Sequence, residues 1–139
     1  MIVLDTNVVS EPMRSKPNRM VLDWLDRQPG EALYLTTTSL AELVAGVRIL
    51  PAGQRRSDLD KALSDLLERL FGPRILPFDR EAALAFGAIV ARGRARGQPI
   101  SFADAQIAAI AETHDFAVAT RDVDPFLAAG LRIIDPWTA

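Results

Sequence analysis

The chain has no cysteine, one histidine and two lysines among 139 residues. Without cysteine there is no disulfide, zinc ribbon, iron–sulfur site or thiol catalysis. One histidine, His114, leaves no basis for a Ser-His-Asp triad or a multi-histidine zinc site. No apolar run approaches the roughly 18 residues of a membrane span. The start Met1-Ile2-Val3-Leu4-Asp5 has no basic segment and reaches a carboxylate at once, so it does not read as a signal peptide. These absences predict a cytoplasmic protein without a membrane partner. Charge of one sign is also missing: 16 basic residues face 18 acidic ones, a net charge of -2. That balance lacks the basic excess usual in nucleic-acid-binding domains. Repeats and low-complexity tracts are absent, and Gly and Pro are scattered rather than gathered in a linker. A single domain over 1–139 is expected, within the usual range of about 100–200 residues. Such a chain buries about two thirds of its unfolded surface and needs no covalent staple.

What is present is an alternation of short apolar runs with helical patterns. Ile2-Val3-Leu4, Leu33–Thr36, Arg74–Phe78, Phe116–Thr120 and Leu131–Ile134 read as strands. Helical spacing covers Asn18 to Arg27, with Met20, Val21, Trp24 and Leu25 on one face. It recurs over Leu40 to Leu50, Arg56 to Phe71, Glu81 to Arg96, and Phe102 to His114. Strands alternating with helices imply right-handed crossovers and a parallel sheet covered on both faces. In such α/β sheets ligands sit beyond the carboxyl ends of the strands.

Four acids fall at predicted rims of that kind. Asp5 directly follows the first strand, and Asp122 follows the fourth after Arg121. Glu42 and Asp104 open helices, in Ser39-Leu40-Ala41-Glu42 and Ser101-Phe102-Ala103-Asp104. Each has a plain structural reading: Ser39-x-x-Glu42 is a capping box as written, and Ser101-x-x-Asp104 a shorter one. Asp5 could cap a helix starting near Asn7, Asp122 could be a turn residue, and Asp124 could be an N-cap. Together, however, convergent carboxylates repel one another unless a cation sits among them. Oxygen donors without His or Cys favour Mg²⁺ or Mn²⁺ over Zn²⁺. Such an ion can activate water and stabilise displacement at phosphorus.

Four segments in order then resemble the PIN-domain proteins of the VapC toxin type, FitB-like branch. They are Ile2-Val3-Leu4-Asp5-Thr6-Asn7-Val8-Val9-Ser10-Glu11, Ser39-Leu40-Ala41-Glu42-Leu43, Phe102-Ala103-Asp104-Ala105-Gln106-Ile107-Ala108-Ala109 and Val118-Ala119-Thr120-Arg121-Asp122. Ile75-Leu76-Pro77-Phe78-Asp79 and Pro136-Trp137 also fit, so the likeness spans essentially the whole chain. It implies a three-layer α/β/α fold with a central parallel sheet of about five strands. It implies a Mg²⁺-dependent (or Mn²⁺-dependent) endoribonuclease, the toxin of a type II toxin–antitoxin pair, in which a metal-activated water hydrolyses RNA. Asp5, Glu42, Asp104 and Asp122 carry over as catalytic and metal-site residues, with Asn7 and Thr120 as supporting polar groups. Many relatives have Asn where Asp122 stands and an acid where Pro125 stands. The fourth acidic role therefore falls to Asp122, with Asp124 as the substitute. The resemblance further implies a homodimer and an antitoxin whose amphipathic segment lies in a hydrophobic groove.

Arg121, between Thr120 and Asp122, and Arg14 are candidates to meet substrate phosphate. Arg92, Arg94 and Arg96 read as a solvated helix end, and Trp137 as a packing anchor. Two other functions fit the sequence less well. An aspartyl-phosphate phosphatase wants Asp-x-Asp after the first strand, where Asp5-Thr6-Asn7 has one acid. A receiver domain wants a strand-end lysine, which neither Lys16 nor Lys61 supplies. A non-catalytic PIN-like module binding RNA or protein is the alternative. Setting the four acids aside leaves 14 acidic against 16 basic residues, so the net charge averages an acidic centre with a mildly basic remainder.

Overall fold

Five short strands carry the architecture: β1 (Ile2–Leu4), β2 (Leu33–Thr36), β3 (Ile75–Leu76), β4 (Ala117–Ala119) and β5 (Ile133–Ile134). The computed structural model describes residues 1–139. In it the strands pair in parallel, in the order β3-β2-β1-β4-β5. The helices are α1 (Thr6–Ser10), α2 (Arg19–Arg27), α3 (Thr37–Arg48), α4 (Gln54–Asp65), α5 (Arg80–Ala95), α6 (Phe102–His114) and α7 (Val123–Ala128). A π-helical turn, Leu66–Phe71, extends α4 and ends at Gly72, whose φ of 50° lies in the left-handed region that glycine tolerates. No helix is long and apolar enough to cross a membrane.

Strand alternation divides the apolar side chains between two faces. Val3 and Val118 join a cluster with Ile89 of α5, Ile107 and Ile110 of α6, and Phe126 of α7. Leu4, Leu33, Leu35 and Ala119 point the other way, against Val8, Val9, Trp24, Leu43, Val47, Leu63 and Phe71. The expected three layers result, with α1–α4 on one face and α5–α7 on the other. The small side chains of α6, Ala105, Ala108, Ala109 and Ala111, are all fully buried, which allows close approach of helix to sheet.

Several expectations need correction. The short helix read near Asn7 starts one residue earlier, at Thr6, with Asp5 as its cap, and α7 starts at Val123, ahead of Asp124. The third strand stops at Leu76 because Pro77 has no N–H for a ladder bond. The Arg56–Phe71 helix starts earlier, at Gln54, and changes to π geometry after Asp65. Met20 is not core: it is exposed, while Val21 and Trp24 are buried. Arg92 and Arg96 are not simply solvated. Arg96 Nη1 donates to Ala128 O at 3.1 Å, and Arg92 lies 3.7 Å from Glu112, tying the end of α5 to α7 and α6.

Where α5 ends, the chain folds back so closely that a Cβ on Gly93 would sit 2.7 Å from the Gln98 carbonyl oxygen. That carbonyl belongs to backbone and cannot swing away. Gly93→Ala is therefore expected to destabilise the fold by about 1–3 kcal/mol, as overpacking does. Urea unfolding measures this; an unchanged midpoint would show that the turn yields freely.

Candidate active site

The strand order sets the site. From β1 the chain moves out to β2 and β3, then crosses to β4 and β5 on the other side. The loops leaving β1 and β4 diverge, and the crevice between them is where α/β sheets hold ligands. Leu4 pairs with Ala119 at the carboxyl ends, and Asp5 N–H donates to Ala119 O at 2.9 Å. The next residues, Asp5 and Thr120, therefore meet at that crevice. Thr120 is fully buried, and its hydroxyl donates to Asp5 Oδ2 at 2.7 Å. Thr6 N–H donates to Asp5 Oδ1 at 2.8 Å, so Asp5 also caps α1. Capping and site roles coexist in one carboxylate.

Glu42 is not part of a capping box. Helix α3 begins earlier than expected, and Thr36, at the end of β2, caps it by accepting from Ser39 N–H at 3.0 Å. Glu42 thus lies in the second turn, with its carboxylate away from the helix N-terminus. Its partner is Thr6, a residue the sequence reading passed over as a participant. Thr6 Oγ1 lies 2.7 Å from Glu42 Oε1 and 2.9 Å from Ser39 Oγ. A hydroxyl has one proton and a carboxylate only accepts, so Thr6 donates to Glu42 and Ser39 donates to Thr6. The sequence signal was its place between Asp5 and Asn7.

Ser101 does cap α6, accepting from Asp104 N–H at 3.2 Å. Asp104 is in the first turn of that helix and is partly buried. Asp122 precedes α7 but its side chain makes no cap. Its N–H donates to Thr120 Oγ1 at 3.0 Å, so one threonine aligns both Asp5 and Asp122. Asp124 lies inside α7, not at its N-cap.

Asp5, Glu42, Asp104 and Asp122 line one open cavity of about 310 Å³, with Thr6, Asn7 and Ser10. Asn7 Oδ1 is also 3.4 Å from the Arg121 N–H. Asp124 lines an adjoining cavity with Asp104, Arg121 and Asp122, and is absent from the shared one. Arg14 turns to buried Glu11 at 3.4 Å, which sequence reasoning did not single out. The electrostatics match a crowd of acids. Burial pushes the Asp5 carboxyl up from 3.8 to about 6, against the Thr120 and Thr6 hydrogen bonds; Asp104 and Glu42 add to the rise. Burial also raises Asp104, opposed by the Ser101 hydroxyl and reinforced by Asp122 and Glu42.

The donor set is all oxygen, which suits a hard divalent cation. No three acidic side chains stand close enough to chelate one ion together. Mg²⁺ takes one or two carboxylates and keeps several waters, so the spacing fits a hydrated ion.

The PIN domain family model matches residues 2–130. The chain is 50% identical over the full length of both chains to "Plasmid stability protein StbB" of Pseudomonas syringae pv. tomato. It is 48% identical to "VapC ribonuclease Y4jK" of Sinorhizobium fredii, over 99% of this chain and 98% of that one. It is 42% identical to "Toxin FitB" of Neisseria gonorrhoeae, over 99% of each. Among solved structures, a chain of FitAB bound to an IR36 DNA fragment superposes with a TM-score of 0.94 at 41% identity, covering 99% of this chain and 96% of that one. Whole-length similarity on this scale, over a site of four acids at the divergence of β1 and β4, places the chain in the PIN-domain family, among the VapC and FitB proteins.

Proposed function

We propose that this protein is a divalent-cation-dependent endoribonuclease, the toxin of a type II toxin–antitoxin pair. The observation that carries the reading is the convergence of four carboxylates in one cavity, with a buried Asp5 held by Thr120. Relatives bearing the names VapC ribonuclease and Toxin FitB support the substrate class and the role. One or two carboxylates among Asp5, Glu42, Asp104 and Asp122 would hold Mg²⁺ or Mn²⁺ directly, and the others would reach it through its waters. Bound there, the cation would supply an acidified water and positive charge for phosphoryl oxygens. Thr120 fixes Asp5 and Asp122; Thr6 fixes Glu42 by donating its only hydroxyl proton. Hydrolysis needs no histidine base and no 2′-hydroxyl, in keeping with a site that has neither His nor Lys.

The antitoxin partner is part of this proposal. A groove of about 300 Å³ adjoins the acids, walled by Met13, Leu43, Val47, Leu50 and Leu59 and flanked by Arg14 and Arg55. Thr6, Ser10 and Glu42 belong to both it and the acidic cavity. An amphipathic antitoxin segment lying there would cover the site.

The direct test incubates purified protein with RNA in Mg²⁺ or Mn²⁺, and again in EDTA, beside Asp104→Asn. Cleavage confined to the metal-loaded wild type is expected. Cleavage that survives EDTA, or that is equal in the variant, would overturn the reading. Thr6→Val removes the donor to Glu42 while keeping shape. It is expected to cost about 10–100-fold in metal affinity or activity, as loss of a ligand's supporting partner does. Calorimetric metal titration checks this, and unaltered affinity and rate would remove Thr6 from the site.

A further inference from the structure

Trp137 packs against the hydrophobic cluster on the α1–α4 face of the sheet. Its backbone N–H donates to Asp135 Oδ1 at 2.9 Å, which fixes the turn presenting the indole. The guanidinium carbon of Arg121 lies 5.2 Å from the centroid of that indole. Arg121 shares an open cavity of about 380 Å³ with Asp104, Asp122 and Asp124. Yet its guanidinium joins none of the protein's five ion pairs. Nor does it donate a hydrogen bond to any protein atom, although its own N–H is held by Asn7. Three carboxylates line that cavity beside it, and it folds onto none of them. The indole face offers the cation another resting place, and the five guanidinium donors stay unspent at the lip of the acidic site. Arg14, the other candidate, is committed to Glu11.

We propose that Arg121, held by Trp137, forms a subsite that grips a backbone phosphate beside the one being cut in single-stranded RNA. This rests on the ribonuclease reading. Chemistry favours it because four acids repel an RNA strand, and a planar guanidinium pairs with phosphate through two parallel N–H···O bonds. Trp137 is a positioning residue: it acts through Arg121.

The test measures equilibrium binding of a labelled single-stranded oligoribonucleotide to the full chain, with Ca²⁺ in place of Mg²⁺, across a salt series. Arg121→Gln is expected to weaken binding about tenfold and to lower the logarithmic salt slope by about 0.7, one single-strand phosphate contact. Arg121→Lys keeps the slope but binds less tightly, because charge survives and the fork does not. Trp137→Leu weakens binding several-fold, and Trp137→Phe, which retains an aromatic face, restores most of it. In cleavage assays the loss falls mainly on KM. The subsite is overturned if Arg121→Gln leaves affinity and slope unchanged, if Trp137→Phe is as poor as Trp137→Leu, or if the wild type binds no RNA. Arg121-dependent binding with no cleavage in Mg²⁺ or Mn²⁺ would leave Arg121 as a contact to RNA phosphate and remove the ribonuclease reading, and with it the placement beside a cut. Cleavage that is indifferent to Arg121→Gln would do the reverse.

Discussion

Asp5→Asn is expected to lose RNA cleavage and, in EDTA, to melt at a higher temperature than the wild type. The loss of activity follows from removing the buried carboxylate at the centre of the acids. Loss of a metal-site carboxylate should cost more than the roughly 10- to 100-fold that follows loss of a ligand's supporting partner. The gain in stability follows from the same burial. Only 4% of Asp5 is exposed, and its carboxyl is raised from 3.8 to about 6, first by burial and then by neighbouring acids. Between those values the folded state keeps a proton on Asp5 that the unfolded chain has released. Stability from this group is therefore greatest at low pH and falls as pH rises to about 6, then levels off. At pH 7 the ionised group costs the metal-free fold about 3 kcal/mol. Asparagine keeps an acceptor for Thr6 N–H and carries no charge, so the variant escapes most of that cost. A rise of about 3–8 °C in melting temperature is expected at pH 7, shrinking towards pH 4. A divalent cation that binds the folded state should raise the wild-type melting temperature and leave the variant nearly unmoved. A variant less stable than wild type in EDTA at pH 7 would show that this carboxylate is not a strained charge.

Phe126→Ala is expected to cost about 3–5 kcal/mol, the usual toll of emptying a fully buried aromatic site. Phe126 is entirely buried, in the cluster that joins Val3 and Val118 to α6. It is also the apolar anchor of α7, which starts directly after Asp122. A domain of this size has roughly 5–15 kcal/mol in total, so the variant should unfold at much lower denaturant. Because α7 fixes the residues after Asp122, cleavage should weaken at temperatures where the variant still folds. An unfolding midpoint near that of the wild type would mean that the neighbouring chains close the cavity.

Much of the fold was legible because its local rules are strong. Asn18, Asp79 and Ser101 cap the helices that follow them, as short polar side chains at helix starts do. Helices α1 and α7 show no repeat of their own, since one and a half turns are too few, and only their cap candidates, Asp5 and Asp124, pointed to them. The capping-box alternative for Ser39–Glu42 fails because two threonines ahead of Ser39 extend the helix back to a better-placed cap at Thr36.

The candidate site divides in the same way. The sequence by itself determined the chemical kind of site: oxygen donors only, no cysteine, one histidine, and four acids near predicted rims. It also determined which strand residues face which layer, since the period of two is a property of the extended chain. Tertiary structure alone decided which rim residues meet. Asp5 and Thr120 touch because β1 and β4 are neighbours in parallel register, across 115 residues of chain. Asp104 was expected at that rim with the helix it opens, but α6 follows a helix and not a strand, so only packing brings it into the same cavity. Pairing partners, burial and the raised Asp5 carboxyl depend on strand order, and strand order is set by long-range packing that no local pattern encodes.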